Sequence, residues 1–184
     1  GQMSIIGPRP ALWNQDDPFN RQCPKDGAMT SITGCVSTAT AIVMRYHKWP
    51  DAGTGTLPAY TTVSKGINVP ERSLGTAYDW DQMPLEYNRG QYTENQAEQV
   101  SRLMSDCGSM VQMDYTSEAS AASEYNIPAT LPVYMKYDTS IGVYSRGAYS
   151  ASEWHSMLEK EIKTNGPVIY SGRSTSSGHC FVLD

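Results

Sequence analysis

An α+β fold is predicted by three observations: a helix that begins at Cys35 and stops before Pro50, two further helices announced by capping boxes, and two short apolar strands near the end of the chain. In the first helix Val36, Ala39, Val43 and Tyr46 recur at helical spacing. Turn-prone polar residues precede it, Lys25-Asp26-Gly27 and then Thr30-Ser31-Ile32-Thr33-Gly34, and Trp49-Pro50 ends it. The Gly/Thr/Pro-rich stretch from Asp51 to Pro70 predicts strands and loops. Thr93-x-x-Gln96 is a capping box opening a helix with Ala97, Val100 and Met104 on one face, stopping at Gly108. Ser150-x-x-Glu153 opens another, with Trp154, Leu158 and Ile162 on one face and Asn165-Gly166-Pro167 at its end. Val168-Ile169-Tyr170 and Cys180-Phe181-Val182-Leu183 then predict paired strands joined by the polar loop Ser171 to Ser177.

The chain has 184 residues, enough for one domain with a real core, and no linker or repeat divides it. Its net charge is −5 and the charges are scattered, with no basic stripe, which argues against a nucleic-acid partner. No apolar run reaches the length of a membrane span, and the residues show no signal-peptide pattern, which is uninformative about the precursor. The four cysteines, Cys23, Cys35, Cys107 and Cys180, show no C-x-x-C and no adjacent histidine set, so no metal site and no cofactor is expected. A disulfide between Cys23 and another cysteine is left open by these spacings.

Cys35 carries the chemical interest, because it puts a thiol where a helix begins. A helix N-terminus has partial positive charge and unpaired N–H groups, which favour thiolate over thiol. Cys35 is therefore a candidate nucleophile, and equally a candidate for a small buried filler, as free cysteine often is. A nucleophilic thiol needs a base that is distant in sequence and adjacent in space. Three histidines are available. His47 lies about 12 residues down the same helix, roughly 18 Å away at the usual rise, and does not reach the thiol. His155 falls within a later helix, at a surface position. His179 remains by elimination, against the alternative of a structural histidine on a strand.

Three separated segments decide between these alternatives. Thr33-Gly34-Cys35-Val36-Ser37-Thr38-Ala39-Thr40-Ala41, running on to Arg45-Tyr46-His47-Lys48-Trp49-Pro50, closely resembles the nucleophile helix of streptopain-type bacterial cysteine proteases. There the pattern is Gly-Cys-Val-Ala-Thr-Ala, ending in Lys-Tyr-His-x-Tyr-Pro. Ser177-Gly178-His179-Cys180-Phe181-Val182-Leu183-Asp184 resembles that family's Gly-Gly-His-Ala-Phe-Val-Ile-Asp-Gly, and Trp13-Asn14-Gln15-Asp16-Asp17-Pro18-Phe19-Asn20 its Tyr-Asn-Gln-x-x-Pro-Tyr-Asn. Tyr78-Asp79-Trp80, Leu103 to Gly108 and Val111 to Tyr115 follow in the family's order, so the resemblance runs from Trp13 to Asp184.

The resemblance implies a papain-like fold, with the nucleophile helix packed on an antiparallel sheet that carries the histidine. It implies Cys35 as nucleophile, His179 as its proton partner and Gln15 as an oxyanion-hole side chain acting with the Cys35 backbone N–H. Gly34, Gly178, Ser120 and Ala121 would border the substrate, the last two at the pocket for the residue second before the cut. Arg173 stands where the family lines the cleft with a small apolar residue, and a guanidinium there either faces water or favours an acidic substrate group. The departures are Cys180 for an alanine, Ser177 for a glycine, and a shorter segment between Gln15 and Cys35. None removes a catalytic group.

The family continues beyond the position of Asp184 with an Asn-Trp-Gly-Trp-Gly-Gly stretch that orients the imidazole. Residues 1–184 are accordingly expected to form a single catalytic domain, incomplete at its C-terminal side, whose remaining part is one partner. Further implied partners are protein or peptide substrates and the inhibitory N-terminal propeptide of an exported zymogen, with a secreted, cell-surface or periplasmic bacterial location. Two alternatives stand beside an endopeptidase: a thiol acyltransferase of transglutaminase type, and a non-catalytic peptide-binding relative.

Overall fold

The computed structural model describes residues 10–138, 168–173 and 178–183. Chain order begins with a two-residue hairpin, β1 (Lys25–Asp26) against β2 (Met29–Thr30), then helix α1 (Cys35–His47). A twisted ribbon follows, in which β4 (Tyr60–Thr61) pairs with β5 (Asn68–Val69), and β3 (Thr56–Leu57) pairs with β6 (Arg72–Ser73) outside it. A single 3-10 turn over Trp80–Gln82 leads to helix α2 (Glu94–Met110), helix α3 (Asn126–Met135) and a terminal antiparallel pair, β7 (Val168–Arg173) and β8 (Gly178–Leu183). The helix expected from Ser150, with His155 in it, lies outside the described residues.

Helix α1 starts at Cys35 and ends where Lys48 turns left-handed (φ 48°), donating its N–H to Arg45 O. Arg45 and His47 in the last turn complement the partial negative charge there. Every residue from Val36 to Ile42 is buried, so this is a central helix, and it packs against both α2 and β8. Its small residues allow that. Alanine, serine and threonine at positions 37–41 keep the helix thin enough to be covered on several sides.

Helix α2 opens on the expected capping box: Thr93 Oγ1 accepts from Gln96 N at 3.1 Å, and Gln96 Oε1 accepts from Thr93 N at 2.9 Å. It runs on to Met110, past the glycine expected to stop it. Gly108 has another task. The Tyr115 hydroxyl occupies the space that a Cβ at position 108 would need, so the glycine admits the ring against the helix.

Helix α3 was not foreseen, since Pro128 and Pro132 interrupt its pattern. Pro128 falls in the first turn, where an N–H has no intrahelical partner, and Pro132 is tolerated inside because Ile127, Leu131 and Met135 anchor the buried face. The terminal strands are longer than expected: main-chain pairing carries β7 through Ser171-Gly172-Arg173 and β8 back to Gly178-His179. Polar and glycine residues conceal strand there, because ladder bonds depend on backbone and register more than on side-chain propensity.

Among the described residues the core is rich in methionine. Met83, Met104, Met113 and Met135, with Leu57, Leu103, Val100 and Tyr115, are almost completely buried. Flexible thioethers fill irregular gaps among elements this short, each burial worth about 1.5–3 kcal/mol. No helix among the described residues is long and apolar enough to cross a membrane.

Candidate active site

The chain entering Cys35 is pinned by five main-chain hydrogen bonds over three residues. Ser31 N donates to Pro24 O (3.0 Å), and Ser31 O accepts from the Asn20 side-chain amide (3.0 Å). Ile32 N donates to Thr116 O (3.1 Å), and Ile32 O accepts from the Ser120 hydroxyl (2.8 Å). Thr33 N donates to Gln15 O (3.1 Å). The partners come from two distant stretches of chain, residues 15–24 and 116–120, so neither the position nor the direction of the α1 N-terminus is free to drift.

Gly34 makes the turn into the helix at φ 85°, ψ 144°, a conformation close to glycine-only, with no side chain capping the N-terminus. A Cβ there would stand 2.5 Å from Met113 Cε and 3.1 Å from Ser120 O. Space and backbone both demand glycine. The Ser120 carbonyl thus approaches Gly34 closely. Met113 is itself fixed, its N–H donating to Gly108 O (2.9 Å) and its carbonyl accepting from the Tyr60 hydroxyl (2.7 Å).

Cys35 is the first residue of α1 and only half-buried, unlike Cys23 and Cys107. Cys23 is buried, and desolvation pushes its pKa up to about 11 despite the nearby Ser105 and Tyr115 hydroxyls. Burial raises Cys107 further, where its thiol faces Met44 Sδ at 3.7 Å. All three are free thiols, so the pairing left open for Cys23 does not occur with either of the other two.

Gln15 is half-buried; its carbonyl accepts the N–H of Thr33, two residues before Cys35, while Asn14 Oδ1 accepts its own N–H at 3.0 Å. Strand β8 carries His179 opposite Gly172, and Gly178 opposite Arg173. Since α1 packs on β8, the fold brings the Cys35 helix and the His179 strand together. His47, at the far end of α1, packs edge-on to Tyr46 and Tyr137, and burial holds its pKa below the ordinary value.

Ser120 is buried, and its hydroxyl is committed to its own chain: it donates to Ile32 O and accepts from Thr116 N at 3.0 Å. Only its main chain is left to border a cleft. Ala121 is exposed beside it, in a single antiparallel bridge with Asp114. The loop is tied down from outside by Asp26, whose carboxylate accepts the Ser117 N–H at 2.8 Å. Asn20, Met113 and the Thr33/Thr38 hydroxyl pair escaped sequence reasoning. Their roles depend on partners 11 to 79 positions away, or on a helix turn whose pattern looks ordinary.

This helix-against-sheet arrangement is the papain-like fold. The chain belongs to the peptidase C10 family, whose model matches residues 13–184. It is 31% identical to streptopain of Streptococcus pyogenes serotype M1, across 98% of this chain and 49% of that protein. It is likewise 31% identical to the thiol protease/hemagglutinin PrtT of Porphyromonas gingivalis, across 95% of this chain and 20% of that protein. Among solved structures, the active wild-type interpain A cysteine protease of Prevotella intermedia superposes with a TM-score of 0.83 at 34% identity, covering 94% of this chain and 73% of that one. A prointerpain A fragment from the same organism also gives 0.83, at 33% identity, covering 95% and 55%. The chain spans about half the length of the streptopain it matches.

Proposed function

We propose that residues 1–184 belong to one papain-like catalytic domain of a cysteine endopeptidase that cuts protein substrates through Cys35 and His179. The observation that carries this reading is the half-exposed thiol at the start of α1, on a helix that packs against the His179 strand and whose lead-in residue Thr33 is bonded to the Gln15 carbonyl.

The chemistry follows from those positions. The Cys35 thiolate attacks the scissile carbonyl carbon, and the carbonyl π electrons move to oxygen. That oxyanion accepts hydrogen bonds from the Cys35 N–H and the Gln15 side-chain amide, each such donor lowering the barrier by roughly 3–4 kcal/mol. The His179 imidazolium gives its proton to the leaving nitrogen, the C–N bond breaks and a thioester remains. Water then attacks the thioester carbon, losing its proton to His179, and the C–S bond breaks to free the acid and the thiolate. Gly34, Ser120, Ala121 and Gly178 border the bound peptide in this reading. Secretion by a bacterium, as a precursor kept inactive by a propeptide, is the context its relatives suggest.

Replacing Cys35 by alanine should abolish both peptide hydrolysis and covalent labelling by a thiol-directed peptide inhibitor, whereas Cys107→Ala should leave both in place. Labelling retained in the Cys35 variant would overturn the assignment.

A further inference from the structure

We propose that Thr38, fed by Thr33, is a positioning residue that aims the Cys35 backbone N–H at the oxyanion; the proposal rests on the cysteine-peptidase reading above. The Thr38 hydroxyl donates to Gly34 O at 2.9 Å, and the Thr38 N–H donates to the same oxygen at 3.1 Å. The Thr33 and Thr38 hydroxyls lie 2.7 Å apart. Since the single Thr38 hydroxyl proton goes to Gly34 O, the Thr33 hydroxyl is the donor in that pair. Both side chains are buried, Thr33 completely. The result is a directed chain, Thr33 O–H to Thr38 O–H to Gly34 C=O.

Gly34 C=O and Cys35 N–H are the two ends of one peptide unit. That unit is planar and trans, so its carbonyl and its N–H point in opposite directions. Two hydrogen bonds pulling the carbonyl into the helix therefore turn the N–H outward from the N-terminus, where nothing in α1 accepts it. They also polarise the amide, strengthening the N–H as a donor. Met113 and Ser120 O also crowd Gly34, which leaves the chain little room to turn there. A threonine hydroxyl bonded four residues back is common in helices. Here the acceptor is the carbonyl of the oxyanion peptide, and a second buried hydroxyl reinforces the bond. Thr40 supplies an internal control, because its hydroxyl makes the same kind of bond, to Val36 O at 2.7 Å, two residues further along from that peptide.

The test uses the active full chain with a peptide-amide substrate, a peptide aldehyde and iodoacetamide. Thr38→Val should lower kcat about tenfold with KM nearly unchanged, and weaken the aldehyde, whose hemithioacetal carries the oxyanion, by a similar factor. Alkylation of Cys35 by iodoacetamide should stay within about twofold, since displacement at a tetrahedral carbon develops no oxyanion. Thr38→Ser should restore kcat, and Thr40→Val should leave it unchanged. If Thr38→Val does not fold, Thr33→Val decides, with a fall of about threefold in kcat and the same split from alkylation. Unchanged kcat and aldehyde affinity would overturn the proposal, as would kcat and alkylation falling together. Turnover persisting in Cys35→Ala would instead overturn the reading beneath it.

Discussion

Tyr78 donates its hydroxyl proton to Asp106 Oδ2 across 2.6 Å, joining the chain just before the 3-10 turn to a buried carboxylate near the C-terminal end of α2. Arg72 of β6 holds the other oxygen at 2.9 Å and reaches Gln22 Oε1 with its remaining fork at 3.1 Å. Burial together with the neighbouring carboxylate drives the Tyr78 phenol far above its ordinary pKa, so it serves as a donor at any working pH. Removing the carboxylate with Asp106→Ala leaves the Arg72 charge without its partner, and an unfolding loss of about 3–5 kcal/mol is expected. Tyr78→Phe removes one hydrogen bond to a charged group and should cost about 1.5–3 kcal/mol. Urea unfolding of both variants checks the order; equal losses would contradict it.

Gly108→Ala sets two effects against each other. Alanine favours an α-helix over glycine by about 1 kcal/mol. A Cβ at this position, however, meets the Tyr115 hydroxyl head-on, and overpacking of that kind costs about 1–3 kcal/mol or more. Packing should win, giving a net destabilisation that Tyr115→Phe in the same chain partly relieves. A thermal melt of the single and double variants reads the sign directly.

Alkylation should discriminate among the described thiols. Brief treatment of the folded protein with iodoacetamide at neutral pH is expected to modify Cys35 and spare Cys23 and Cys107, whose burial keeps them protonated and covered. Peptide mapping by mass spectrometry locates the label, and denaturant should make all three react. Labelling of Cys107 in the native state would show that the α1–α2 interface opens.

Acid should loosen the loop that carries Ser120. The Ser117 N–H holds Asp26 below the usual carboxylate range, with Lys65 assisting, and Ser64 does the same for Asp114. A folded pKa lowered in this way contributes stability that is complete above the unfolded value near 4 and is lost as pH falls through the folded value. Asp26→Asn and Asp114→Asn should therefore flatten the acid limb of the stability curve. Unfolding midpoints measured between pH 6 and pH 2 test this, and an unaltered limb would refute it.

What could be read in the sequence was whatever local chemistry writes there. Gly34-Cys35 and Trp49-Pro50 delimit α1, and Thr93 with Gln96 opens α2, because caps and breakers act within a few residues. Gly108 was misjudged for the same reason: locally it is a helix breaker, and only Tyr115 folded against it explains its place inside the helix. The prolines of α3 mislead equally, since burial at Ile127, Leu131 and Met135 outweighs propensity. At the site, the sequence names candidate residues but carries no sign of the bonds that hold the chain around Cys35. Asn20 to Ser31 and Ser120 to Ile32 are tertiary contacts with no local signature.

The pinning of residues 31–33 has a consequence for how the molecule is made. Cys35 is synthesised before Thr116 and Ser120, which grip Ile32 and follow more than 80 residues later. At usual synthesis rates that interval is several seconds or more. Throughout it the thiol exists without the scaffold that aims it. In the proposed peptidase reading, competence to cut thus arrives only with long-range closure, so the order of synthesis itself defers it.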